Sequence, residues 1–95
     1  MSNTAAATTI TTTTSGDADI LQAFAFAGLG VETSRWGLIQ HRTADGRIVR
    51  VLEDDATFFL YVMSANEVIE SEMKISGHMA NPVALAALIE LAVEA

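Results

Sequence analysis

The run Thr57-Phe58-Phe59-Leu60-Tyr61-Val62-Met63-Ser64 is β-branched and aromatic with no polar alternation, has the length of one strand, and is bounded by Asp54-Asp55 and Ala65-Asn66. That pattern predicts a strand covered on both faces. After it, Ile69, Met73 and Ile75 alternate with Glu70, Glu72 and Lys74, the period of two expected of a half-exposed strand over 68–76. Its charged face is expected to discourage edge pairing. Before it, residues 36–42 and 47–53 form two strand-like runs around Thr43-Ala44-Asp45-Gly46.

The hairpin around Asp45-Gly46 has two available registers. If Gly46 is the left-handed bulge residue closing a type I turn, Trp36, Leu38, Ile48 and Leu52 share a face, with Ile39, Val49 and Val51 on the other. If Asp45 and Gly46 are the two central residues of a type I′ turn, Trp36, Leu38, Val49 and Val51 share a face. The bulged form is preferred.

Helices are predicted at both ends. Asp17 and Asp19 put negative charge where a helix begins, and Ile20, Leu21, Phe24 and Ala27 follow at helical spacing, giving a helix from 17 to 27 or 29. Either Gly28 or Gly30 can close it in a Schellman motif, pairing Leu29 with Phe24 or Val31 with Phe26. The glycines around Leu29 do not read as a phosphate loop, because they end a helix rather than open one and no Lys follows. At the other end, Asn81-Pro82 supplies an N-cap and a first helical residue. The helix from there has Leu85, Leu88, Ile89 and Ala92 as its core stripe and Val83, Ala86, Glu90 and Glu94 on its wet side. Leu91 and Val93 widen its apolar sector beyond what one neighbour can cover.

The expectation is an α+β fold: a four-stranded antiparallel meander with the N-terminal and C-terminal helices on one face, order α-β-β-β-β-α. It forms a single domain over 17–95, sized for one modest core. Residues 1–16, a Thr/Ala/Ser/Asn tract with one Ile, read as a disordered arm. In outline this order resembles the small α+β folds of secretion chaperones and related binding proteins, with no motif residues that assign a family.

Charge narrows the functional classes. The chain holds 5 Lys+Arg against 12 Asp+Glu, for a net charge of -7. Residues 1–52 are balanced, with Asp17, Asp19, Glu32 and Asp45 against Arg35, Arg42, Arg47 and Arg50. Residues 53–95 set Glu53, Asp54, Asp55, Glu67, Glu70, Glu72, Glu90 and Glu94 against Lys74 alone. This disfavours direct binding of phosphate backbones or anionic membranes. It suits a basic protein partner, or imitation of nucleic acid if those acids form one stripe. Cysteine is absent, no signal or transit peptide is evident and no apolar run is long enough to span a bilayer, so the expected setting is cytoplasmic.

Catalytic chemistry is not signalled. His41 and His78, the only histidines, have no zinc-ligand spacing, Ser76-Gly77-His78 is not a nucleophile elbow, and Glu53-Asp54-Asp55 lacks a second cluster of oxygen ligands. No enzyme activity, cofactor or metal is expected. The reading is a protein-protein interaction module of adaptor, chaperone or small-inhibitor type, its partner another protein. The alternatives are a small structural or assembly subunit, such as a phage virion component using the arm, and an acidic nucleic-acid mimic. A homo-oligomer, most simply a two-fold dimer through the last helix or the sheet face beside it, would bury the surplus apolar surface. Candidate interface residues are Trp36, Arg42 and Arg50 on the hairpin, types that anchor interfaces, and Leu91 and Val93 on the last helix.

Overall fold

The computed structural model describes residues 15–94. The element order is α1 (Ser15–Phe26), β1 (Glu32–Thr33), β2 (Ile39–Arg42), β3 (Ile48–Asp54), β4 (Thr57–Met63), β5 (Ile69–Ile75), a 3-10 turn (Gly77–Met79) and α2 (Pro82–Glu94). The strands form one antiparallel sheet in the order β1-β2-β3-β4-β5. The α+β meander between two helices is therefore present, with five strands rather than four. The extra strand, β1, has only two residues, too few to show a period. Residues 15 and 16, assigned by composition to the arm, are the first residues of α1; the rest of that tract lies outside the described residues.

Three of the four hairpins use the same turn. In 34–38, 43–47 and 64–68 the first residue's N–H donates to the carbonyl of the fifth, and the fourth residue's N–H donates to the carbonyl of the first. The fourth residue is left-handed each time: Gly37 (φ 83°), Gly46 (φ 93°) and Glu67 (φ 65°). This is a type I turn closed by a bulge. The opening residue is a hydroxyl residue whose Oγ accepts a backbone N–H of the same turn: Ser34 from Trp36 and Leu38, Thr43 from Arg47, Ser64 from Val68. At the central hairpin the pairing is Ile39 with Val51 and His41 with Val49, the bulged register. The predicted strand from 36 is shorter than expected because Ser34-Arg35-Trp36-Gly37 is itself such a turn. The fourth hairpin is a two-residue turn at Asp55 (φ 54°) and Ala56 (φ 62°).

Helix α1 ends on Gly28 (φ 74°). The Leu29 N–H donates to the Phe24 carbonyl and that of Gly28 to the Ala25 carbonyl, each at 3.0 Å, which settles the Schellman motif on Gly28 rather than Gly30. From there the chain turns into β1, held by the His41 ring, whose Nδ1–H donates to the Gly30 carbonyl at 2.7 Å. Helix α2 is capped as expected: Asn81 Oδ1 accepts from the Ala84 N–H at 2.9 Å.

The core lies between both helices and one face of the sheet, where Ile20, Ala23, Phe24, Leu85, Ala86 and Ile89 meet Val49, Val51, Phe58, Leu60, Val62 and Ile75. Each large side chain buried there contributes roughly 1.5–3 kcal/mol. Two helix positions stand out: Ala86, placed on the wet side, is buried, and Leu21, one of the apolar residues at helical spacing in α1, is exposed. Where α1 and α2 pack, the small Ala23 and Ala86 are both buried, as close helix approach favours.

β3 is the strand covered more completely on both faces: residues 48–51 are buried in succession, whereas β4 buries Phe58, Leu60, Val62 and Met63 and leaves Phe59 and Tyr61 half-covered. Apolar content alone favoured β4; β3 was disguised by the arginine at its centre.

Candidate functional site

Register places Gln40 opposite Arg50, and Arg50 opposite Tyr61, on the sheet face away from the helices. Both Gln40 (2% exposed) and Arg50 (8%) are buried. An unpaired charge at that depth would cost several kcal/mol, and a chain of polar contacts offsets this. Arg50 Nε donates to Gln40 Oε1 at 2.9 Å, and the Gln40 amide donates to Glu32 Oε2 at 2.7 Å. Glu32 also accepts from Arg42 at 3.1 Å. On the other side Arg50 donates to Glu67 Oε1 at 3.1 Å, and Arg35 approaches Glu67 Oε2 at 3.9 Å. The Gln40 orientation is the one that meets a carboxylate with its NH2 and a guanidinium with its carbonyl. The hydrogen bond from Gln40, then Arg42, holds the Glu32 carboxyl below the usual range. Glu67 is thus engaged by two arginines, which removes it from any free acidic stripe.

Helices α1 and α2 contact the β2–β3 side of the sheet, leaving part of the same face open toward β5. There a cleft of about 560 Å³ separates α2 from the sheet edge. Leu60, Val62 and Met73 line it from the strands, and Leu88, Leu91 and Ala92 from the helix; Arg47, Glu70, Ser71 and Glu72 add polar groups. Arg47 is already committed: it pairs with Asp45 at 3.2 Å and donates to the Val93 carbonyl at 3.0 Å, tying the central hairpin to the last turn of α2. The cleft brings together two of the large exposed apolar side chains, Met73 (44%) and Leu91 (64%). β5 is an outer strand of the sheet, with Ile75 as its one buried residue.

The sequence-derived candidates separate into two regions. Trp36 stands 67% exposed in the β1–β2 turn, with the Arg35 guanidinium 5.2 Å from its ring centroid. Arg42 is at the end of β2, paired with Glu32. Arg50 is buried in β3, so its guanidinium serves the network and is not on the surface. Leu91 lines the cleft, while Val93 is half-buried against the core. Met73 and the Arg47 tether were not singled out from sequence. Met73 reads as core filler, and only the incomplete helix cover exposes it.

Among the described residues no group of three or more His, Cys, Asp or Glu is placed to hold a metal ion. No helix among them is long and apolar enough to cross a membrane. No family model, curated protein or solved structure matches the chain.

Proposed function

We propose that the chain is a non-enzymatic protein-protein interaction module that receives an apolar segment of another protein in the cleft between α2 and β5. The observation that carries this reading is the exposure of Leu91 and Met73 on an apolar cleft. Large apolar side chains grouped in this way mark an interaction surface more often than isolated ones do. Glu70 at the cleft, with Glu90 and Glu94 on the same helix as Leu91, favours basic residues flanking that segment.

The test is affinity capture from the native cell followed by mass spectrometry, with the natural chain and Leu91→Glu side by side. Leu91 is exposed, so the variant keeps its fold. A partner retained by the natural chain and lost by the variant is the expected result, and equal retention by both would refute the cleft as the binding surface. Self-association is a second reading, favoured by the same exposed pair and by the position of β5 at the edge of the sheet.

A further inference from the structure

We infer that β5 pairs with β5 of a second copy across a two-fold axis at Met73, joining two sheets into one and placing two clefts side by side. The inference rests on the self-association reading, and its support is the form and charge of the edge. β5 pairs only with β4 among the described residues, which leaves its outer row of backbone N–H and C=O groups available to another strand. The regular part of that edge is limited on both sides. The pairing with β4 shifts between Val62↔Ser71 and Met63↔Ile69, so Glu70 is a bulge, and Gly77 (φ 67°) turns the chain away beyond Ile75. Residues 71–75 remain, and Met73 is their midpoint.

A two-fold axis normal to the sheet pairs the strands antiparallel and keeps both helix layers on one side. Centred on Met73, it sets Lys74 opposite Glu72 of the second copy, twice, with Ile75 opposite Ser71 and Met73 opposite Met73. Moving the centre by one residue sets Glu72 against Glu72 or Lys74 against Lys74. The charges that deter an arbitrary strand are thus complementary to this strand in one register. Lys74, the single Lys or Arg in 53–95, has a defined role there, whereas a basic foreign strand would meet it unfavourably. The same axis brings the exposed Met73 of each copy against the other.

The chain has no cysteine, so single replacements report the register cleanly. Residues directly opposed across antiparallel strands lie about 4.5–5.5 Å apart at Cα, within disulfide reach. On mild oxidation Met73→Cys is expected to form a covalent dimer, and Ser71→Cys, whose counterpart is Ile75, is not. Sedimentation equilibrium at about 100 μM, where a specific interface of standard size holds, is expected to give twice the chain mass of 10.1 kDa. Lys74→Glu and Glu72→Lys each weaken the dimer on the order of ten- to hundredfold, and the double exchange restores it. A monomer for the natural chain, equal cross-linking of both cysteine variants, or no rescue by the double exchange would overturn the inference. Partner capture that depends on Leu91 by a monomeric chain would still leave the cleft reading intact, so the two can fail separately.

Discussion

The Glu67 carboxylate meets the guanidinium of buried Arg50 at 3.1 Å from a left-handed backbone position, φ 65°, that the matching turns give to Gly37 and Gly46. A side chain in that conformation costs about 1–3 kcal/mol, and here it supplies a carboxylate that Arg50 contacts directly. The turn imposes that conformation, and the Glu67 side chain placed there reaches Arg50.

Replacing Glu67 therefore sets two effects against each other. Glu67→Gly relieves the backbone but leaves Arg50 with only the Gln40 carbonyl as a side-chain acceptor. Breaking a fully buried pair costs about 3–5 kcal/mol, and partial exposure of Glu67 (37%) reduces that. The expected net result is destabilisation by about 1–2 kcal/mol in urea unfolding, and Glu67→Ala, which keeps the strain as well, loses more. A Glu67→Gly variant more stable than the natural chain would show that the network does not offset its turn.

Ala56 presents the opposite case. It is exposed and left-handed, φ 62°, and its N–H donates to Glu53 Oε2 at 2.8 Å, a bond glycine keeps. Ala56→Gly should stabilise the fold by about 0.5–1 kcal/mol, read as a higher urea midpoint at unchanged slope. An unchanged or lower midpoint would mean that the unfolded-state entropy of glycine outweighs the relief.

The cap of α2 is testable at one atom. Asn81→Ala removes the acceptor for the Ala84 N–H and should cost about 1 kcal/mol. Asn81→Asp, which keeps an oxygen there, should cost less. Equal losses for the two would place the effect in the Asn81 side-chain donor, which bonds to the His78 carbonyl at 2.7 Å.

Tyr61, the only tyrosine, has its phenol pushed above the ordinary value by burial first and then by the adjacent Glu72. The folded state thus holds the phenolic proton more tightly than the unfolded chain. Its stabilising contribution is fully present below the ordinary tyrosine pKa and is lost as pH rises through the raised one. Ultraviolet titration should show the raised value, and Glu72→Gln should lower it part of the way, since burial persists. No change in Glu72→Gln would remove Glu72 as a cause.

Local punctuation made much of the fold legible. Asn81-Pro82, Gly28 and the Thr-x-x-Gly turn at 43–46 each state a backbone conformation that few other residues adopt, and helix ends and central register followed. The same Ser-x-x-Gly form at 34–37 was equally readable and would have started β2 at Ile39. Glu67 was not readable as a turn residue, because the left-handed position of this turn favours Gly and Ser64-Ala65-Asn66-Glu67 has none. Nor was the double cover of β3, since Arg50 reads as exposed until Gln40 and Glu67 are placed around it. Of the candidate site, Leu91 was visible as surplus on its helix. Met73 and Arg47 were not, because the gap beside α2 follows from how the helices sit across the sheet.

The most direct test of the cleft as the binding surface is methyl chemical-shift mapping of the chain with its captured partner, read together with the indole signal of Trp36, the single tryptophan. The methyls of Leu91, Leu88 and Met73 should shift while the Trp36 indole, in the distant β1–β2 turn, stays in place. A shift of Trp36 with Leu91 and Met73 unmoved would contradict the account and assign binding to the arginine-bearing hairpins instead.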